Sequence, residues 1–92
     1  MNLSDTIEPM VSSSYKNRFI AEWMQLKIRY EKLKDLCNRI EAADIAGDPL
    51  EVPEPEHDCP LSMLRAQQKI MGEYLHILEL RAVIENIELK GV

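Results

Sequence analysis

The feature that constrains this chain most is a run of apolar residues at alternating spacings. Phe19, Trp23, Leu26, Tyr30, Leu33, Cys37 and Ile40 lie 4, 3, 4, 3, 4 and 3 residues apart. A helix of 3.6 residues per turn gathers such positions into one stripe, whereas a strand would scatter them over both faces. Neither glycine nor proline interrupts the run. Ser13 and Ser14 are good N-cap residues, and Gly47 followed by Pro49 is a stop signal. The pattern predicts a helix over residues 14–43, roughly 45 Å long. Residues 1–12 hold Pro9 and a weaker apolar pattern, and read as an N-terminal arm or short helix.

Residues 45–59 contain Pro49, Pro53 and Pro55 and five acids, with no Lys or Arg. Proline removes N–H donors and like charges repel, so an extended acidic linker is expected, either a lid or a strap. Pro60 suits the start of a second helix. Leu61, Leu64, Met71, Leu75, Leu78, Ala82 and Leu89 continue a seam, broken by Gln68 and Glu85, and Gly91 would stop it. That predicts a helix over 60–89. Two helices of similar length joined by one connection make an antiparallel hairpin occupying residues 13–91.

A hairpin alone leaves apolar residues over. Ala21, Met24 and Ile28 form a second stripe on the first helix, and Ile70, Tyr74, Ile77, Leu80, Val83, Ile84 and Ile87 surround much of the second. A helix apolar nearly all round is buried from several sides. Each such side chain is worth roughly 1.5–3 kcal/mol when buried. The expected fold class is therefore all-α: a two-helix hairpin assembling into a helical-bundle homo-oligomer. Met24, Ile28, Ile77, Leu80, Ile84 and Ile87 are its expected interface. The alternative is a monomer in which residues 1–12 and the linker cover the surplus.

With 92 residues and a net charge of −5, the chain is one small domain and lacks the basic excess of a general nucleic-acid binder. No apolar run reaches the roughly 20 residues of a membrane span. The N-terminus has neither basic nor apolar leader regions, so a cytoplasmic protein with reduced Cys37 and Cys59 is expected. No CxxC, HxxxH or HExxH spacing and no glycine-rich phosphate loop is present. His57 and Cys59 form no complete metal or nucleophile set, His76 reads as a surface or interface polar group, and Cys37 reads as core. No catalysis, metal or cofactor is expected.

Charge placement says more. Residues 15–34 carry Lys16, Arg18, Lys27, Arg29, Lys32 and Lys34 against Glu22 and Glu31, six cations against two acids, a local +4. In the heptad, Lys27 and Arg29 flank the seam beside Tyr15 and Tyr30. A cation holds a phosphate and an aromatic ring stacks on a base, so this stripe suits a nucleotide. The plainer alternative is a set of flanking charges that pair across the bundle. Arg81, among apolar neighbours, needs an anionic partner: Glu22, Glu31 or a ligand.

The run Tyr15-Lys16-Asn17-Arg18-Phe19-Ile20-Ala21-Glu22-Trp23-Met24-Gln25-Leu26-Lys27-Ile28-Arg29-Tyr30-Glu31-Lys32-Leu33 resembles the opening helix of a family of small helical phage and prophage proteins related to a crAss-like gut phage protein. Cys59-Pro60, Gln67-Gln68, Met71, Tyr74-Leu75, Ile77-Leu78-Glu79, Arg81-Ala82, Ile84-Glu85 and Ile87-Glu88-Leu89 resemble its second helix, while the linker is longer. The resemblance covers residues 15–89. It implies a phage accessory protein working in the bacterial cytoplasm. Such proteins often counter host defence, and some are oligomeric hairpins that sequester cyclic-nucleotide signals between subunits. The implied function is a non-catalytic inhibitor of antiviral defence, with Tyr15, Lys16, Arg18, Lys27, Arg29, Tyr30 and Arg81 at its ligand site. The alternative is an adaptor or direct inhibitor of a host defence protein, using the Met24/Ile28 or Leu80/Ile84 face.

Overall fold

A computed structural model describes the backbone of residues 3–89 and the side chains of residues 14–89. It contains helix α1 (Leu3–Ala46) and helix α2 (Leu61–Ile84). They pack side by side into a rod with extents of 69 × 21 × 20 Å. The direction follows from the contacts. Phe19 and Trp23, early in α1, meet Leu75, Leu78, Ala82 and Ile87; Cys37 and Ile40, late in α1, meet Leu64. The hairpin is therefore antiparallel and all-α.

The α1 seam supplies the core. Phe19, Trp23, Cys37 and Ile40 are buried, and Leu26, Tyr30 and Leu33 are half-buried between them. Leu78 and Cys37 have no exposed surface at all. A Leu→Ala change at such a site costs about 2–5 kcal/mol, a large share of the stability of a small domain.

The helix ends differ from those read in the sequence. α1 begins at Leu3, not residue 14, because Ser13 and Ser14 can cap a helix yet cost only a few tenths of a kcal/mol inside one. The segment expected as an arm or short helix thus continues α1 from Leu3 onward; its side chains lie outside the described residues. α1 ends at Ala46, where Gly47 at φ 69° donates its N–H to the Ala43 carbonyl at 3.1 Å. This left-handed cap is the stop that Gly47 signalled.

α2 ends at Ile84 rather than residue 89. Asn86 takes φ 55° and donates to the Val83 carbonyl at 3.4 Å, while Ile87 donates to the Ala82 carbonyl at 2.8 Å. That pair of bonds is a Schellman motif with asparagine in the left-handed position. It turns Ile87 back into the hairpin core. Ile87, expected at an interface between subunits, is buried within the single chain. Gly91, the expected stop, lies outside the described residues.

The connection runs from Gly47 to Pro60. Asp48 starts it as a turn: its side chain accepts from the Leu50 N–H at 3.0 Å and its carbonyl from Val52 at 2.9 Å. His57 is tied to the Cys59 carbonyl at 2.7 Å and lies 3.5 Å from Glu54. Val52, Pro55 and His57 are half-buried. Pro60 caps α2 at φ −63°, its carbonyl accepting from Met63 and Leu64.

Candidate functional site

Two clusters of polar and aromatic side chains lie beside the α1–α2 seam. The first is a latch between the early part of α1 and the end of α2. Tyr15 donates its hydroxyl proton to Glu85 Oε1 at 2.5 Å and accepts from Arg81 Nη2 at 2.8 Å. Arg81 Nε donates to Glu85 Oε2 at 3.1 Å, and the guanidinium lies 5.1 Å from the Phe19 ring centre. The anion that Arg81 needs is thus Glu85, not Glu22 or Glu31. One helical turn separates them, so the pair forms locally. Glu22 instead accepts from the Tyr74 hydroxyl.

The latch perturbs its own titration. Tyr15's hydrogen bond holds the Glu85 carboxyl below its ordinary value, with Arg81 adding to the effect. The same bond raises the Tyr15 phenol, and Glu85 likewise raises Arg81. Tyr15 and Arg81 thus satisfy each other and Glu85. The bonds from Tyr15 to Glu85 and from Arg81 to Tyr15 tie the two helices together.

The second cluster is an open groove of about 490 Å³, lined by Tyr30, Arg65, Gln68, Lys69, Gly72, Glu73 and His76. Helical spacing aligns Arg65, Lys69, Gly72 and His76 along one side of α2. Gly72 admits the aromatic group. A Cβ there would lie 3.1 Å from Tyr30 Cε1 and 3.5 Å from its hydroxyl oxygen, so the phenol end of Tyr30 rests on bare backbone. Arg65 is fixed by Gln68 Oε1 at 2.7 Å, Asn38 Oδ1 at 3.1 Å and an ion pair with Glu41. Lys69 has no ion pair among the described residues. The groove therefore combines an aromatic ring, a free ammonium, an anchored guanidinium, an amide, an imidazole and a carboxylate.

The ligand residues expected from the sequence do not converge in one chain. Tyr15 and Arg81 belong to the latch and Tyr30 to the groove. Lys27 sits 5.0 Å from the centre of the Trp23 ring, whose Nε1 donates to Glu79 Oε2 at 3.3 Å. Lys16, Arg18 and Arg29 are exposed. Lys27 and Arg29 lie about 160° apart around α1, on opposite sides of the seam. They cannot close on one phosphate within a single chain. Lys69, Gln68, Gly72, Glu73 and His76 line the groove but are not among the ligand residues expected from the sequence. The available signal was Gly72: a glycine inside a helix marks a close approach.

Among the interface residues, Ile28, Ile77, Leu80 and Ile84 are exposed, and Met24 is half-buried against the hairpin core. No linker residue lines the groove. Among the described residues no group of His, Cys, Asp and Glu could hold a metal ion. Cys37 is a buried free thiol and Cys59 an exposed one. No described helix is long and apolar enough to cross a membrane. The family model described as Sequestin matches residues 13–84, which include the packed lengths of both helices and the connection. No curated protein and no solved structure matches the chain.

Proposed function

The chain belongs to the Sequestin family, and from that premise we propose that it is a phage-derived protein of the bacterial cytoplasm that inhibits antiviral defence by sequestering a nucleotide signal, cyclic or linear, without transforming it. The groove carries this reading. Tyr30 offers a ring beside the base, Lys69 a free cation for a phosphate, and Gln68 and Glu73 partners for hydroxyl or base N–H groups. Glu73 also repels phosphate, so the phosphate belongs at the Arg65–Lys69 end. The family's name is that of a sequestering protein, which fits binding without turnover.

The test is incubation with a panel of cyclic and linear nucleotides, removal of free ligand, heat release and chromatography. One nucleotide should be retained and recovered intact. Lys69→Ala should weaken its binding about tenfold, the loss of one charge-assisted contact. Helicity and melting temperature should not change, since Lys69 is exposed. Altered nucleotide in the released fraction would make the chain an enzyme and overturn the reading.

The exposed Ile77, Leu80 and Ile84 favour a second reading, an adaptor or direct inhibitor of a host protein. It predicts no retained nucleotide, and a host partner whose capture is abolished by Ile84→Asp.

A further inference from the structure

An open cleft of about 430 Å³ lies between the last turns of α1 and the connection. Its apolar lining is Ala42 of α1 with Val52, Pro53 and Pro55 of the connection. Glu51 and Glu54, both exposed, supply its charge. Arg39 also lines it but is paired with Asp35 at 2.9 Å. A smaller cleft of about 240 Å³ adjoins it, sharing Val52 and Glu54 and reaching Gly47 and Pro49. Between them in the chain stands Leu50, 94% exposed.

The walls are pre-set. Asp48 holds the turn, its side chain accepting from the Leu50 N–H and its carbonyl from Glu51 at 3.2 Å and Val52 at 2.9 Å. Pro53 and Pro55 have φ fixed by their rings. His57, tied to the Cys59 carbonyl, braces Glu54 at 3.5 Å. Such a surface loses little freedom on binding. The charge is one-signed: between Arg39 and Arg65 the chain has no Lys or Arg. Among the described residues Glu51 has no ion pair, and Glu54 has only the imidazole.

We propose that this cleft docks a short extended segment of another protein, in which an apolar side chain is flanked by Lys or Arg. The apolar side chain packs on Ala42, Val52 and Pro55, and the flanking cations meet Glu51 and Glu54. Charge complementarity selects this occupant, because the same carboxylates repel nucleotides, nucleic acid and anionic lipid. The volume is that of a small-ligand pocket, about 300–1,000 Å³, so it takes side chains and not a second hairpin. A second copy also lacks such a segment: among the described residues every Lys and Arg lies in α1 or α2. Leu50 offers the partner a further apolar contact, held out by the Asp48 turn. The cleft shares no residue with the groove of Tyr30, Gly72 and His76, so the proposal stands apart from nucleotide sequestration.

The probes are two short synthetic peptides of equal charge, one alternating arginine with leucine and the other arginine with serine. Each is titrated into the isotope-labelled full chain and followed by backbone amide shifts. The leucine peptide should move residues 42–55 and leave Tyr30, Gly72 and His76 in place. The serine peptide should bind about tenfold more weakly or less. Glu51→Gln with Glu54→Gln should weaken the leucine peptide about tenfold at low salt. The difference should shrink as salt screens the exposed charges. Val52→Ser should weaken it several-fold with helicity retained, since Val52 lies outside both core clusters. Equal binding of the two peptides would reduce the site to bare charge attraction and overturn the proposal. So would shifts centred on other acids, or no shifts at all. Shifts at 42–55 that grow with the concentration of the chain alone would put a second copy in the cleft and overturn it as well.

Discussion

Gly72 is the residue on which the groove depends most directly. A helix-interior glycine costs up to about 1 kcal/mol relative to alanine, so its presence calls for a packing reason. That reason is Tyr30, whose ring approaches within 3.1 Å of where a Cβ would stand. Gly72→Ala gains helix propensity and displaces the Tyr30 ring by a few tenths of an ångström. The melting temperature should stay the same or rise slightly, while nucleotide retention falls several-fold. Titration calorimetry beside a thermal melt checks both arms, and unaltered affinity would remove Tyr30 from the site. Tyr30 itself was legible as a seam aromatic with basic neighbours. Its contact Gly72 and the cations that share the groove with it, Arg65 and Lys69, come from the other helix, and spacing along α1 cannot show which residues of α2 arrive opposite it.

At the level of the elements, the first seam was legible almost residue by residue. Phe19, Trp23, Cys37 and Ile40 are core, and the half-buried Leu26, Tyr30 and Leu33 lie between them. The ends were less legible. Asn86 looked like one more polar residue of a continuing helix, yet it closes α2 in the left-handed conformation. For a residue with a Cβ other than asparagine or aspartate, that conformation costs roughly 1–2 kcal/mol. Asn86→Ala should therefore lower the stability of the hairpin by about 1 kcal/mol, and Asn86→Gly should leave it unchanged or raise it. Urea unfolding of the two variants separates these outcomes. Equal midpoints would mean that the cap adds nothing beyond the burial of Ile87. A periodic pattern reports which face of a helix is apolar. It does not report where a single residue will leave the helix, because that turns on the backbone conformation of one residue, Asn86, and not on the spacing of apolar side chains.

For the molecule as a whole, the latch joins the two helices near the ends of the first core cluster and makes its stability depend on pH. Glu85 is held below its ordinary value of 4.5, so its contribution is present above that value and is lost as pH falls below it. Tyr15 is raised above 10.0, so its contribution is present below that value and is lost as pH rises past it. Thermal melts from about pH 7 to pH 3 should fall more steeply for the wild type than for Glu85→Gln. Parallel curves would show that the exposed latch does not couple to folding.

What the sequence by itself determined is the helical class, the antiparallel hairpin and the seam that holds it. Each is encoded in apolar spacing, which any helix must turn into a stripe. Tertiary structure alone decided which polar groups meet. Tyr15 of α1 closed on Arg81 and Glu85 at the end of α2, and Trp23 of α1 on Glu79 of α2. Tyr30 settled on Gly72, and so Lys69 and His76, on the other helix, came to line the groove with it. The physical reason is range. Burial acts on each residue through its own surface, so a local pattern records it, but a site requires two helices to be in register, and that register is set by the packing of the whole seam.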